Sequence, residues 1–149
     1  MLPRTDLRVL DAARSVVDEI HSAMNRASPS WLGGAQLRDA AESIVANIGE
    51  GFGRADGPDR IHFLRIARGS AEETNERLRI LFAAQRIEAV GYWRIHHRLV
   101  AVVRMLTSLM ERIGDRDAND AARPRPKNTI SPPQPPQAPA VSSRRKLSP

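Results

Sequence analysis

The densest mixture of glycine, carboxylate and arginine in the chain is SIVANIGEGFGRADGPDR, residues 43–60, with glycines at 49, 51, 53 and 57 and Glu50 and Arg54 among them. A run of this kind raises the chemistry of a phosphate-cradling loop. Such a loop needs backbone N–H groups converging at a helix N-terminus, usually after a strand, and a lysine that reaches the phosphates. Here the glycines follow Ile44, Val45 and Ile48, which are spaced as in a helix, and no lysine precedes Lys127. The stretch therefore reads as the bend between two helices. Gly51 is the expected stop, because glycine enters the left-handed conformation at low steric cost. Gly53 lets the chain leave, and Gly57-Pro58 opens the next helix. Glu50 sits at the unfavourable end of a helix dipole, a penalty of about 0.3–1 kcal/mol. A charge-assisted hydrogen bond from Arg54, Arg65 or Arg68 is expected to offset it and to pin the second helix to the third. Asn47 is expected to bond backbone at the same bend.

Other reactive residue types lack partners at the required spacing. Ser70 has no base placed to activate it, so Gly69-Ser70 reads as a close helix–helix contact between small residues. His96 and His97 are adjacent and point about 100° apart on a helix, unlike the i,i+4 pair of a helical zinc site. His21 and His62 stand alone, and Glu72, Glu73 and Glu76 lack the accompanying E-x-x-H of carboxylate-bridged metal bundles. There are no cysteines, which removes disulfides and thiolate chemistry. No catalytic, cofactor or metal site is predicted, and the expectation is a non-enzymatic protein. Arg54, Arg60, Arg65 and Arg68, with Arg77 and Arg79 beyond them, are the candidate phosphate contacts of an RNA-binding surface. The competing use is salt bridging to Glu50, Glu72, Glu73 and Glu76. Aromatic residues are only 4% of the chain, which argues against base stacking of the single-strand type.

Charge is distributed unevenly. Residues 1–120 hold 17 arginines and all 17 carboxylates and are neutral, so the net +6 comes from the six basic residues after 120. The basic balance is no footprint of nucleic-acid binding by the folded part. Eight of the 11 prolines lie at 124 or beyond, and such a segment cannot bury enough apolar surface to offset its ordering entropy. Residues 1–114 are read as the folded domain and 115–149 as a disordered Pro-rich tail. The tail ends in a basic cluster, Arg144, Arg145 and Lys146, more often a solvated terminus than a handle for an acidic partner. The longest apolar runs, 80–84 and 99–103, are five residues each, far below the roughly 20 that a membrane helix needs. With no signal-peptide core at the N-terminus, a soluble, cytoplasmic protein without membrane contact is expected.

The elements that would position these residues are four amphipathic helices and no strand. The first, over 5–26, carries Leu7, Leu10, Val17 and Met24 beside Val9, Ala13, Val16 and Ile20. The second, over 31–50, carries Leu37, Ala40, Ala41, Ile44, Val45 and Ile48, with Ser30 as cap or a later start near Ala35. The third opens at Pro58, buries Phe63, Ile66, Ala67, Ser70, Thr74, Leu78, Leu81 and Phe82, and ends near Ala89. The fourth, over 92–113, carries Tyr92, His96, Leu99, Val103, Leu106, Met110 and Ile113, flanked by Ile95, Val102 and Leu109, and stops at Gly114. Short connections make this all-α chain an up-down antiparallel four-helix bundle. Apolar rows wider than one seam point to oligomerisation.

Three segments carry a family resemblance. SIVANIGEGFGR, FLRIARGSAEETNERL and VGYW together resemble the 23S rRNA intervening-sequence protein family, whose members show a helix running into an N-I-A-E-G-x-G-R turn, then F-L-x-I-A-x-G-S. Asn47, Ile48, Glu50, Gly51 and Arg54 match the first element, and Phe63, Leu64, Ile66, Ala67, Gly69, Ser70 and Glu73 the second. Gly49 replaces the usual alanine, and Asp39 stands where a basic residue is common. The resemblance covers about residues 5–113. It implies a four-helix bundle assembled into a homo-oligomeric ring, commonly a pentamer, acting as an assembly or scaffold module with RNA or ribonucleoprotein association. The fold is also similar to the accessory variability protein of diversity-generating retroelements, which implies the alternative of a ring that binds a reverse transcriptase and nucleic acid.

Overall fold

A computed structural model describes residues 4–26 and 33–123. Four helices fill them: α1 (Arg4–Arg26), α2 (Gly34–Gly53), α3 (Gly57–Ala83) and α4 (Ala89–Ala122). Each helix packs on two neighbours, α1 on α2 and α4, and α3 on α2 and α4, and among the described residues no diagonal pair meets. The registers are antiparallel. Ser43 of α2 faces Ser70 of α3, while Gln36, seven residues earlier, bonds Arg77, seven residues later. Phe82 stacks on Tyr92 near one end of α3 and α4, and the carboxylate of Asp117 lies against Gly57 at the other. His21 reaches Glu42 at 3.0 Å between α1 and α2, and Arg98 reaches Glu19 at 3.1 Å between α4 and α1. The result is the predicted up-down four-helix bundle.

The core is the inner row of every helix. Val9, Ala13, Val16 and Ile20 from α1 meet Leu37, Ala41, Ile44 and Ile48 from α2. Leu64, Ala67, Ala71 and Leu78 from α3 meet Ile95, Leu99, Val102 and Leu106 from α4. Each fully buried leucine or isoleucine contributes about 1.5–3 kcal/mol. On α3 Ala67, Thr74, Leu78 and Leu81 are buried as predicted, but the face is rotated toward Leu64 and Ala71, which are inside, while Phe63 and Phe82 are half-buried and Ile66 is exposed. On α4 both predicted rows are core: Tyr92, Leu99, Leu106, Met110 and Ile113 are buried together with Ile95, Val102 and Leu109, while His96 and Val103 are half-buried at the edge. α3 carries apolar residues on more than one side, so spacing alone does not fix which side faces in.

The starts of α2 and α3 lie within one residue of the expected Ala35 and Pro58, whereas Gly51 and Gly114 do not end their helices and Gly91 lies inside α4. α2 follows Gly33 (φ 99°) and runs through Gly51 to Gly53, with Arg54 as its cap. The predicted cap Ser30 lies outside the described residues. The N-cap of α3 is Asp56, whose side chain accepts from the Asp59 N–H at 2.7 Å, and Pro58 is the second helical residue rather than the first. α3 ends at Ala83, six residues early, because Gln85 turns into the left-handed region (φ 58°). The Arg86 N–H then bonds the Leu81 carbonyl at 2.8 Å and the Gln85 N–H the Phe82 carbonyl at 2.9 Å, a Schellman closure made without glycine. α4 passes through Gly114 to Ala122, across the predicted boundary at 114. A glycine in a helix interior costs only about 1 kcal/mol, too little to stop a helix whose flanking residues continue it. The basic cluster Arg144, Arg145 and Lys146 lies outside the described residues.

Candidate nucleic-acid interface

The glycine-rich motif is helical from Ser43 to Gly53 and again from Gly57, and the bend between the helices is confined to residues 54–56. Gly51 lies where α2 crosses α3: a β-carbon there would meet the Arg60 carbonyl and the Phe63 β-carbon at 3.3 Å. Its small size permits the crossing, and it does not end the helix. Gly69 is the reverse case. It is exposed, and a β-carbon there would meet nothing within 4 Å, so it makes no close contact inside this chain.

Glu50 pairs with Arg54 four residues on, in its own helix, and not with α3. The link between the helices runs through Arg54. Its guanidinium lies 4.7 Å over the Phe63 ring, and its carbonyl accepts from Arg60 at 3.0 Å. Asn47 does bond backbone, but one turn back inside α2: its amide donates to the Ser43 carbonyl at 2.8 Å and to the Ser43 hydroxyl at 3.1 Å. Ser43 meets Ser70 across the helices at 2.9 Å, and buried Thr74 donates to the Ser70 carbonyl at 2.6 Å. Asn47, Ser43, Ser70 and Thr74 thus form one polar ladder between α2 and α3. No nucleophile–base pair arises from it, since Ser70 faces only hydroxyl and amide groups.

The α3 arginines are largely occupied. Arg68 pairs with Glu72, Arg77 with Glu73 at 2.7 Å, and Arg79 with Glu76 at 2.6 Å. The hydrogen bond from Arg79 holds the Glu76 carboxyl below its ordinary value and raises Arg79 in turn. Arg60 is turned to the Arg54 carbonyl, and of the four candidate contacts only Arg65 makes no ion pair or hydrogen bond among the described residues.

The available cations lie elsewhere. Arg94, Arg98, Arg104, Arg112 and Arg116 are exposed along the outer side of α4, and residues 89–116 contain only two carboxylates, Glu111 and Asp115. Arg94 to Arg116 spans about 33 Å at 1.5 Å per residue. Arg98 is held by Glu19, while the other four form no ion pair among the described residues. Arg8 of α1 joins Arg104, Met105, Ser108 and Arg112 around a groove of about 320 Å³. Sequence reading passed over this ridge because the neutral charge of residues 1–120 hides local segregation. The signal was present in the recurrence of arginine at 94, 98, 112 and 116, which places all four on one side of a helix.

At the N-terminal end of the ridge the rings of Phe82 and Tyr92 are stacked at 4.3 Å, and His96 continues the stack at 5.7 Å from Tyr92. The His96 Nδ1 lies 2.7 Å from the Asn75 Oδ1. Trp93 stands edge-on to Tyr92 at 5.0 Å and to His96 at 5.6 Å, half exposed. Among the described residues no cluster of histidine and carboxylate groups suited to a metal ion occurs, and no helix is long and apolar enough to cross a membrane.

The model of the 23S rRNA-intervening sequence protein family matches residues 5–108. No curated protein matches the chain. Among solved structures, a protein of unknown function from the S23 ribosomal protein family of Bacteroides thetaiotaomicron superposes with a TM-score of 0.67 at 24% identity, covering 72% of this chain and 98% of that one. That likeness concerns the fold.

Proposed function

As the chain belongs to the 23S rRNA-intervening sequence protein family, we propose that it is a non-enzymatic, self-assembling bundle that associates with RNA through the α4 ridge. The observation that carries this reading is the distribution of its arginines: Arg68, Arg77 and Arg79 of α3 are bound to neighbouring carboxylates, whereas four on α4 and Arg8 form no ion pair among the described residues. Phosphate contacts by arginine supply sequence-independent affinity that weakens steeply with salt.

Self-assembly is supported by the outer face of α3. Ile66, Gly69, Glu73 and Ile80 recur at helical spacing and are all exposed, with Ile80 54% accessible. A row with an exposed isoleucine at each end and a glycine between them suits close approach of a second copy, and a repeated ridge on a ring, the pentamer among them, would multiply weak RNA contacts. A cytoplasmic site of action follows from an RNA partner of this kind.

The test is native mass at low and high salt, with and without structured RNA. The expected result is a multiple of the 16.5 kDa chain that carries RNA at low salt and sheds it at high salt. Replacing Arg104 and Arg112 by glutamate should abolish RNA carriage, and replacing Arg65 should weaken it only slightly. An oligomer that ignores RNA would overturn the ridge reading and favour a protein partner such as a reverse transcriptase.

A further inference from the structure

Low aromatic content spread along a chain argues against base stacking, but the structure gathers much of that content in one place. Phe82, Tyr92 and Trp93 meet the two histidines of α4 at the α3–α4 turn. Tyr92 is buried and anchors the group, while Trp93 is 50% exposed and His97 is exposed. The indole is braced edge-on by Tyr92 and His96 and tilted against His97 at 5.9 Å. A ring fixed this way loses little further freedom when something stacks on it.

The geometry points to Trp93 as a stacking platform for an unpaired base of single-stranded RNA, its phosphates running on to the α4 arginines. The charge around it favours a nucleic acid. Arg94 follows it directly, and Trp93, His97 and Arg104 recur on one side of α4. The carboxylates of the facing helices are engaged: Glu76 is bound to Arg79 at 2.6 Å and Glu19 to Arg98 at 3.1 Å. Phosphate answers guanidinium, and a base supplies the flat apolar face that an exposed indole prefers. Arg104 lies about 16 Å along the helix from Trp93, within reach of a strand of a few nucleotides. This inference rests on the ridge reading and adds a preference for single strands to it.

The test uses the full chain carrying Trp31→Phe, so that Trp93 is the sole tryptophan. Its emission is followed while a 12-nucleotide oligouridine or a duplex RNA of equal length is added. Saturable quenching by the single strand and little change with the duplex are expected. Trp93→Ala should weaken single-strand binding about tenfold, within the range for one stacked base, and leave duplex binding unchanged. Trp93→Phe, which keeps an aromatic face, should restore most of the loss. Arg104→Glu with Arg112→Glu should weaken binding of both RNAs. If oligouridine binds with salt-dependent affinity but neither quenches Trp93 nor responds to Trp93→Ala, the platform is wrong and the ridge stands. If neither RNA binds, both fall.

Discussion

The guanidinium of Arg54 lies 4.7 Å above the ring of Phe63, so the residue that caps α2 is held by the second turn of α3. Glu50 contributes to this arrangement only by pairing with Arg54 from within α2. Exposed i,i+4 pairs are worth about 0.3–0.5 kcal/mol, and a partly covered cation–π contact about 0.5–1 kcal/mol. Arg54→Ala, which removes both, is therefore expected to cost about 1 kcal/mol and Glu50→Ala at most about half of that. Urea unfolding of the two variants checks the order. An equal loss for both would mean that Glu50 holds α3 by a route other than Arg54.

Gly51 and Gly69 match the same family pattern, yet their surroundings differ. At Gly69 a β-carbon would meet open space, so Gly69→Ala should stabilise the single chain by about 0.5–1 kcal/mol through lost freedom in the unfolded state. Gly51→Ala gains the same helix propensity but must push back the Arg60 carbonyl and Phe63. Its melting temperature should stay level or fall. If the outer face of α3 joins two copies, Gly69→Ala should also weaken assembly, and concentration-dependent native mass separates that from the gain in the monomer.

These glycines show what the sequence could reveal. Helical spacing located all four helices and, with the short connections, their antiparallel order, because the inner rows repeat over about three or more turns. It misplaced the C-terminal ends of α2 and α4, since a glycine at 51 or 114 looks the same in sequence whether the helix stops or continues. It also missed the end of α3, which rests on a glutamine in a glycine's conformation. The candidate contacts shift from α3 to α4 for a related reason. Arginine counts mark where cations are dense, but whether each is neutralised depends on the carboxylate one turn away, as Arg77, with Glu73, and Arg104, with none, illustrate.

Gln85 carries the only positive φ among the described non-glycine residues, at 58°. A side chain in this region costs about 1 kcal/mol relative to glycine. Gln85→Gly should raise the unfolding free energy by up to about 1 kcal/mol while leaving the helix content unchanged, as circular dichroism would report. Gln85→Val should lower stability, because branching at the β-carbon worsens the clash.

Ser43 and Ser70 share the contact that joins α2 to α3 at 2.9 Å. Ser70→Ala leaves the Ser43 hydroxyl with the Asn47 amide, and Ser43→Ala leaves a Ser70 hydroxyl that is only half-buried, so the losses should be modest, about 0.5–1.5 kcal/mol. The double variant should lose less than the two singles together, because the shared bond is removed once. A coupling of zero in the double-mutant cycle would mean that the hydroxyls pair with their own helices and not with each other.

The reach of α4 past Gly114 can be tested by where the chain is cut. The buried residues run from Val9 to Ile113, so apolar burial alone predicts that nothing beyond Ile113 matters to stability. Yet Asp117 lies on the extension, with its carboxylate in the space a β-carbon at Gly57 would need. There it faces the first turn of α3, whose unpaired N–H groups carry partial positive charge. A carboxylate so placed is worth about 0.3–1 kcal/mol. A chain ending at Arg123 should melt at the temperature of the full chain. A chain ending at Gly114 should melt a few degrees lower, and Asp117→Asn in the full chain should reproduce part of that drop. If the Gly114 chain melts with the others, the last two turns of α4 are passengers and the domain closes at Ile113 as the apolar rows alone suggest.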